Sequence, residues 1–191
     1  MSRYVVFDLE MCKVPRSIKT EALHMEIIEI GAVLLDETYK EIDSFKTYIK
    51  PQYGFVDEFI KNLTGITVAE TKNAPETKQA LEMFTKWIPD DAVLVTWSEN
   101  DEHQLRKEME YKNIDIPKLN KLLDEYIDSQ LDFSDIMDSD RQYSLYEALV
   151  LGDIDFDEDI HDALVDARNT ALLFAKMETE EEFKFISYYS K

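Results

Sequence analysis

A chain of 191 residues, 45% hydrophobic and 12% aromatic, has the size and composition of one globular domain with a substantial core, which excludes a disordered protein. Acids outnumber bases 41 to 21, for a formal charge of −20. That balance disfavours indiscriminate binding to nucleic acid or anionic membrane, so a polyanionic substrate needs local positive charge or metal ions to approach. The one cysteine, Cys12, excludes an internal disulfide and suits a reducing compartment, and its neighbours Met11 and Val14 suggest a packed thiol rather than a nucleophile. The opening "MSRYVVFDLE" lacks a signal-peptide hydrophobic region, and no apolar run approaches membrane-spanning length. A soluble cytoplasmic protein with no membrane partner is the expectation.

The first predicted strand, "RYVVFDL", continues into "EM" and so carries Asp8 and Glu10 one residue apart. Side chains at i and i+2 of a strand share a face. Each carboxylate therefore disfavours ionisation of the other, and a bound cation would relieve the conflict. "MEIIEIGAVLLD" and "EIDSFKTYIK" follow as strands, separated by the turn-like "ETYK". The other glycines punctuate element ends, but Gly31 lies inside an apolar run. "ETKQALEMFTKWI" has helical spacing. "DAVLVTW" is a fourth, buried strand, followed by a charged helix from Asn100 to Tyr111. Asp101 opens that helix, either as its N-cap or as an acid delivered to the carboxyl end of the sheet, where ligands gather.

"EYIDSQL" gives a weaker fifth strand, and "SLYEALVL" a helix opened by a Ser144/Glu147 capping box and stopped near Gly152. The last helix is "DALVDARNTALLFAKM", with His161 just before it and Asp166 in its first turns, where the helix dipole favours a carboxylate. Three strands followed by alternating helix and strand indicate an α/β fold, a mixed sheet covered by helices. The acidic "DIDFDEDIHDAL" imitates a calcium loop, but its sixth residue is Glu158 where the turn needs glycine and its twelfth is Leu164. An exposed loop that repels nucleic acid from one side is the better expectation there.

Taken together, "FDLEM", "TWSENDEHQL" and "HDALVDARNTALL" resemble the three motifs of the DEDDh 3′-to-5′ exonucleases, a group that includes polymerase-proofreading subunits and exoribonucleases that trim histone messages and small RNAs. "IIEIGAV", "YIKP" and "LTGIT" match in the same order, so the resemblance covers Arg3 to Met177. The DEDDy group carries Tyr four residues before the last Asp, whereas this chain has Asp162 there. The resemblance implies a ribonuclease H-like fold with a central five-stranded mixed sheet. It also implies one exonuclease catalytic domain over residues 1–177, with 178–191 as a short acidic extension packing on it or trailing from it. Asp8 lies so near Met1 that no N-terminal targeting module is expected.

By the same resemblance, Asp8, Glu10, Asp101 and Asp166 are the ligands of two Mg²⁺ or Mn²⁺ ions, and His161 is the general base. The chemistry agrees: two-metal phosphodiester hydrolysis suits hard carboxylate donors, and imidazole suits proton transfer near neutral pH. Met11 and Ile66 resemble positions that pack on the terminal nucleotide, with ordinary core packing as the alternative. Lys13, Arg16 and Lys19 are placed to hold phosphates or are solvated surface bases. The implied partners are 3′ ends of single-stranded nucleic acid, RNA or DNA, or short oligonucleotides. Two other functions stay open: a proofreading or trimming subunit of a larger complex, and a catalytically silent nuclease-like interaction module.

Overall fold

In the computed structural model, which describes residues 3–17, 23–157 and 161–184, five strands form one mixed sheet. β1 (Arg3–Lys13), β2 (Met25–Leu35) and β3 (Glu41–Tyr48) pair antiparallel. β4 (Ala92–Thr96) and β5 (Ile127–Asp128) add in parallel on the other side of β1, giving the order β3-β2-β1-β4-β5. The helices are α1 (Glu58–Thr64), α2 (Val68–Lys72), α3 (Thr77–Trp87), α4 (Glu99–Tyr111), α5 (Pro117–Asp124), α6 (Ser129–Ile136), α7 (Leu145–Leu151) and α8 (Ala163–Thr179).

Alternation along β1 sorts these helices into layers. Val5, Phe7 and Leu9 pack with Leu81 and Phe84 of α3, Leu105 and Met109 of α4, and Leu119 of α5. Tyr4 and Val6 point the other way, against Val33, Val95 and the Ala171–Phe174 stretch of α8. Trp97, Phe133, Leu149 and Leu173 close the β4 edge under α6 and α7. The even-numbered face of β1 thus runs Tyr4, Val6, Asp8, Glu10: apolar under the body of α8, acidic where α8 begins.

The elements depart from the sequence expectation in identifiable places. β1 runs beyond Leu9 to Lys13, because Met11 and Cys12 resume pairing with Ile27 and Glu26 after a register shift at Glu10. The fifth strand shrinks to two residues, since Asp128 Oδ1 accepts the N–H groups of Gln130 and Leu131 and starts α6 at once. Ser98, not Asp101, caps α4, accepting the Asn100 N–H at 3.4 Å. The Ser144/Glu147 box opens α7, which stops at Gly152 as expected. Cys12 is fully buried, and burial together with Glu26 and Glu108 pushes its thiol up to about 12.

Between β2, α3 and α4 lies an ion network the sequence did not announce. Lys112 Nζ, at the end of α4, sits 2.6 Å from Glu26 Oε1, Glu108 Oε1 and Thr77 Oγ1. Glu26 also accepts the N–H groups of Gln52, Tyr53 and Gly54 at 2.7, 2.8 and 2.6 Å, fixing the loop that leads into α1. Removing one member of a buried ion group leaves the others desolvated and unpaired, typically at about 3–5 kcal/mol. Lys112→Met is therefore expected to lower unfolding free energy by about that amount, measured by urea titration; a change near zero would show that water or protons replace the lysine.

Candidate active site

β1 outruns β4. Their pairing stops at Val6–Val95, and beyond that point the carboxylate of Asp101, in the first turn of α4, accepts the N–H of Leu9. This bond fastens the start of α4 to β1 and keeps Asp101 only 7% exposed.

The other wall of the site is the start of α8. On β2, Gly31 lies opposite Asp8, and Glu29 lies opposite Glu10. A Cβ built on Gly31 would meet the backbone nitrogen of Leu164 at 2.1 Å and the carbonyl carbon of Ala163 at 2.2 Å. The helix backbone thus rests directly on the strand, which explains a glycine inside an apolar run. That close approach delivers Asp166, one turn into α8, to the acidic end of β1. His161, just ahead of the helix, has φ +70° and donates its N–H to Asp166 Oδ2 at 3.0 Å. Glu10, His161 and Asp166 present donor atoms that all lie within 4.8 Å of one another.

Burial and mutual repulsion govern these carboxyls. Burial first, then Asp101, Asp166, Glu10 and Glu29, push Asp8 well above the usual carboxylate range. Burial, reinforced by Asp166, Glu29 and Asp101, pushes Glu10 up to about 8. Burial raises Asp101 to about 7 against the opposing Leu9 N–H, and raises Asp166 against the His161 N–H. Four carboxyls offering hard oxygen donors with raised affinity for positive charge, and no thiol among them, fit a hard divalent cation.

Protonation supplies the missing positive charge when metal is absent. For Glu10 the folded value lies above the ordinary 4.5, so its contribution to stability is complete below the unfolded value and is lost as pH rises toward 8. In chelator the melting midpoint is expected to fall between pH 5 and 8, and Glu10→Gln should flatten that fall. A wild-type midpoint that did not fall more steeply than that of Glu10→Gln would contradict the raised Glu10 carboxyl. At pH 8, millimolar Mn²⁺ should raise the wild-type midpoint, since a ligand of the native state stabilises it. The midpoint of Asp8→Asn should rise less; an equal rise would remove Asp8 from the metal site.

The remaining sequence candidates are dispersed around this cluster. Met11 is half-buried against the core under α3 and α4. Ile66 is only 2% exposed, packed with Cys12, Ile28, Val56 and Ile60, yet it borders a cleft of about 370 Å³ with Tyr48, Asn62, Thr64 and Asp162. Lys13 is exposed, its ammonium 5.1 Å from the centre of the Phe59 ring. Arg16 is exposed, while Lys19 and the Glu158–Ile160 part of the acidic loop lie outside the described residues. Sequence reasoning missed Glu29, Lys46 and Asp162, which surround the start of α8. The available signal was Glu29 itself, an acid in a mostly apolar strand, two residues from an unexplained glycine.

Known proteins resemble this chain in sequence and fold. The exonuclease family RNase_T matches residues 5–174. ERI1 exoribonuclease 2 of Danio rerio is 31% identical over 179 residues, covering 81% of this chain and 32% of the relative, so the chain spans about a third of that protein. A structure of the nuclease domain of 3′hExo, a DEDDh family member bound to rAMP, superposes with TM-score 0.81 at 22% identity, covering 97% of this chain and 96% of that one. A structure of histone mRNA stem-loop recognition by a 3′-exonuclease gives TM-score 0.82 at 19% identity, covering 100% of this chain and 72% of the other. At these identities the likeness establishes the fold, which is ribonuclease H-like.

Proposed function

This chain belongs to the RNase_T exonuclease family, and from that premise we propose that it is a metal-dependent 3′-to-5′ exonuclease that releases nucleoside 5′-monophosphates from single-stranded nucleic acid. What supports this function is the cluster of Glu10, His161 and Asp166 donor atoms, with the carboxyls of Asp8 and Asp101 close enough to repel one another, the acids coming from one strand, β1, and from the starts of two helices, α4 and α8.

Asp8, Glu10, Asp101 and Asp166 would hold two Mg²⁺ or Mn²⁺ ions, which supply charge neutralisation at the scissile phosphate and an acidified attacking water. His161 would accept a proton from the attacking water on an imidazole nitrogen. Its exposure allows the proton to pass on to solvent, and the bond from its backbone to Asp166 holds the ring near the acids. Met11 and the Ile66 edge of the cleft pack the terminal nucleotide, with its 3′-hydroxyl near Glu10. Lys13 and Arg16 meet the phosphates upstream. The formal charge of −20 favours short flexible strands over long duplexes, because only local cations and bound metal draw the polyanion in.

Single-stranded RNA and DNA oligonucleotides, labelled at either end and incubated with Mn²⁺ or chelator, test the function. A 5′ label should descend in single-nucleotide steps, and a 3′ label should appear at once as a mononucleotide, only with metal. Internal cuts, release of a 5′-labelled mononucleotide first, or intact strands would reject it.

A further inference from the structure

Two rows of residues cross the sheet under the start of α8. Lys46 of β3, Gly31 of β2 and Asp8 of β1 form one row; Tyr48, Glu29 and Glu10 form the next. Lys46 Nζ lies 2.9 Å from Glu29 Oε1 and is also paired with Asp162 Oδ2. The remaining oxygens of these carboxylates face the helix. Glu29 Oε2 accepts the Ala163 N–H at 3.2 Å, and Asp162 Oδ1 accepts those of Leu164 and Val165 at 3.0 and 3.2 Å. The first three N–H groups of α8, which have no partner within the helix, thus all end on two carboxylates joined by one lysine.

We propose that Lys46 is a positioning residue: by clamping Glu29 and Asp162 together it fixes the first turn of α8 on the sheet and so aims His161 at the acidic cluster. The clamp acts through backbone geometry. His161 holds φ +70°, a region that residues other than glycine occupy only when their surroundings impose it. On one side its N–H is held by Asp166; on the other, its neighbour Asp162 is held by Lys46. A buried Glu29 beside Asp162 would repel it without the ammonium between them. Although burial pushes Asp162 up, Lys46 and the Val165 and Leu164 N–H groups hold its carboxyl below the usual range.

The assay of this clamp rests in part on the exonuclease function above, so wild-type trimming with Mn²⁺ is measured first; its absence would sink that function and not the clamp, which hydrogen exchange tests separately. Lys46→Met is expected to reduce kcat about 10–100-fold, the range for lost groups that orient a site, with KM changed less than about twofold. Amide exchange at Ala163, Leu164 and Val165 should accelerate. Lys46→Arg should recover most of the loss, because a guanidinium also bridges two carboxylates. Lys46→Met combined with Asp162→Asn should be no worse than Lys46→Met alone, as expected of residues acting as one unit. If Lys46→Met does not fold, Asp162→Asn supplies the comparison, since asparagine still caps a helix. Unchanged exchange at the start of α8 overturns the clamp. So does wild-type kcat in Lys46→Met, or a raised KM at unchanged kcat, which would make Lys46 a substrate contact.

Discussion

Replacing His161 by alanine is expected to lower turnover on a short single strand about 10²–10⁴-fold, the usual loss with a general base, while Mn²⁺ continues to raise the melting midpoint. The imidazole is exposed and lies ahead of α8, whereas the acids that would hold metal are buried or partly buried in the sheet and helix starts. Loss of the ring removes a proton acceptor without removing a hard oxygen donor. Asp166→Asn should behave differently and weaken both metal stabilisation and turnover. Because His161 offers a donor atom within 4.8 Å of Glu10 and Asp166, the pair of variants separates base from ligand. If His161→Ala loses the Mn²⁺ effect as badly as Asp166→Asn does, the histidine is a ligand; if it keeps near-normal rates at neutral pH, it is not the base.

The second large effect belongs to a residue with no reactive group. Gly31→Ala would place a methyl 2.1 Å from the Leu164 nitrogen and 2.5 Å from the Ala163 oxygen, and neither backbone atom can rotate away. Overpacking of this kind typically costs about 1–3 kcal/mol and sometimes more. Relief requires α8 to lift from β2, carrying Asp166 and His161 away from Asp8 and Glu10. A displacement near 1 Å can lower turnover about 10²-fold. Urea titration and initial rates on the same preparation should therefore show a moderate stability loss with a disproportionate loss of kcat. Wild-type kcat in folded Gly31→Ala would mean that the close approach is not needed for catalysis.

What the sequence made legible was whatever depends on local order. Asp8 and Glu10 share a face because strands alternate, and Asp101 and Asp166 fall in the first turns of helices because the dipole preference for acids there is local. Long-range consequences stayed hidden. Gly31 stood out as an anomaly, but its reason is the backbone of α8, a contact between distant segments. Glu29, Lys46 and Asp162 appeared as unrelated polar residues until the β3-β2-β1 register aligned them. The Glu26–Lys112–Glu108 network was invisible for the same reason. Short helices such as α1 and α2 carry too few turns to show a period, and they are held by caps: Asp57 for α1, and the Thr67/Glu70 box for α2. The fifth strand is present but only two residues long, because the cap at Asp128 starts α6 where strand propensity would have continued.

Diffraction at the manganese absorption edge, from crystals soaked with Mn²⁺ and a nucleoside 5′-monophosphate, tests most directly whether the acidic cluster is a metal-dependent nucleotide site. The expected result is anomalous density among Asp8, Glu10, Asp101 and Asp166, with the nucleotide phosphate against it and the base toward Met11 and Ile66. Density elsewhere, or none within reach of Asp8 at saturating Mn²⁺, would contradict the assignment of the site.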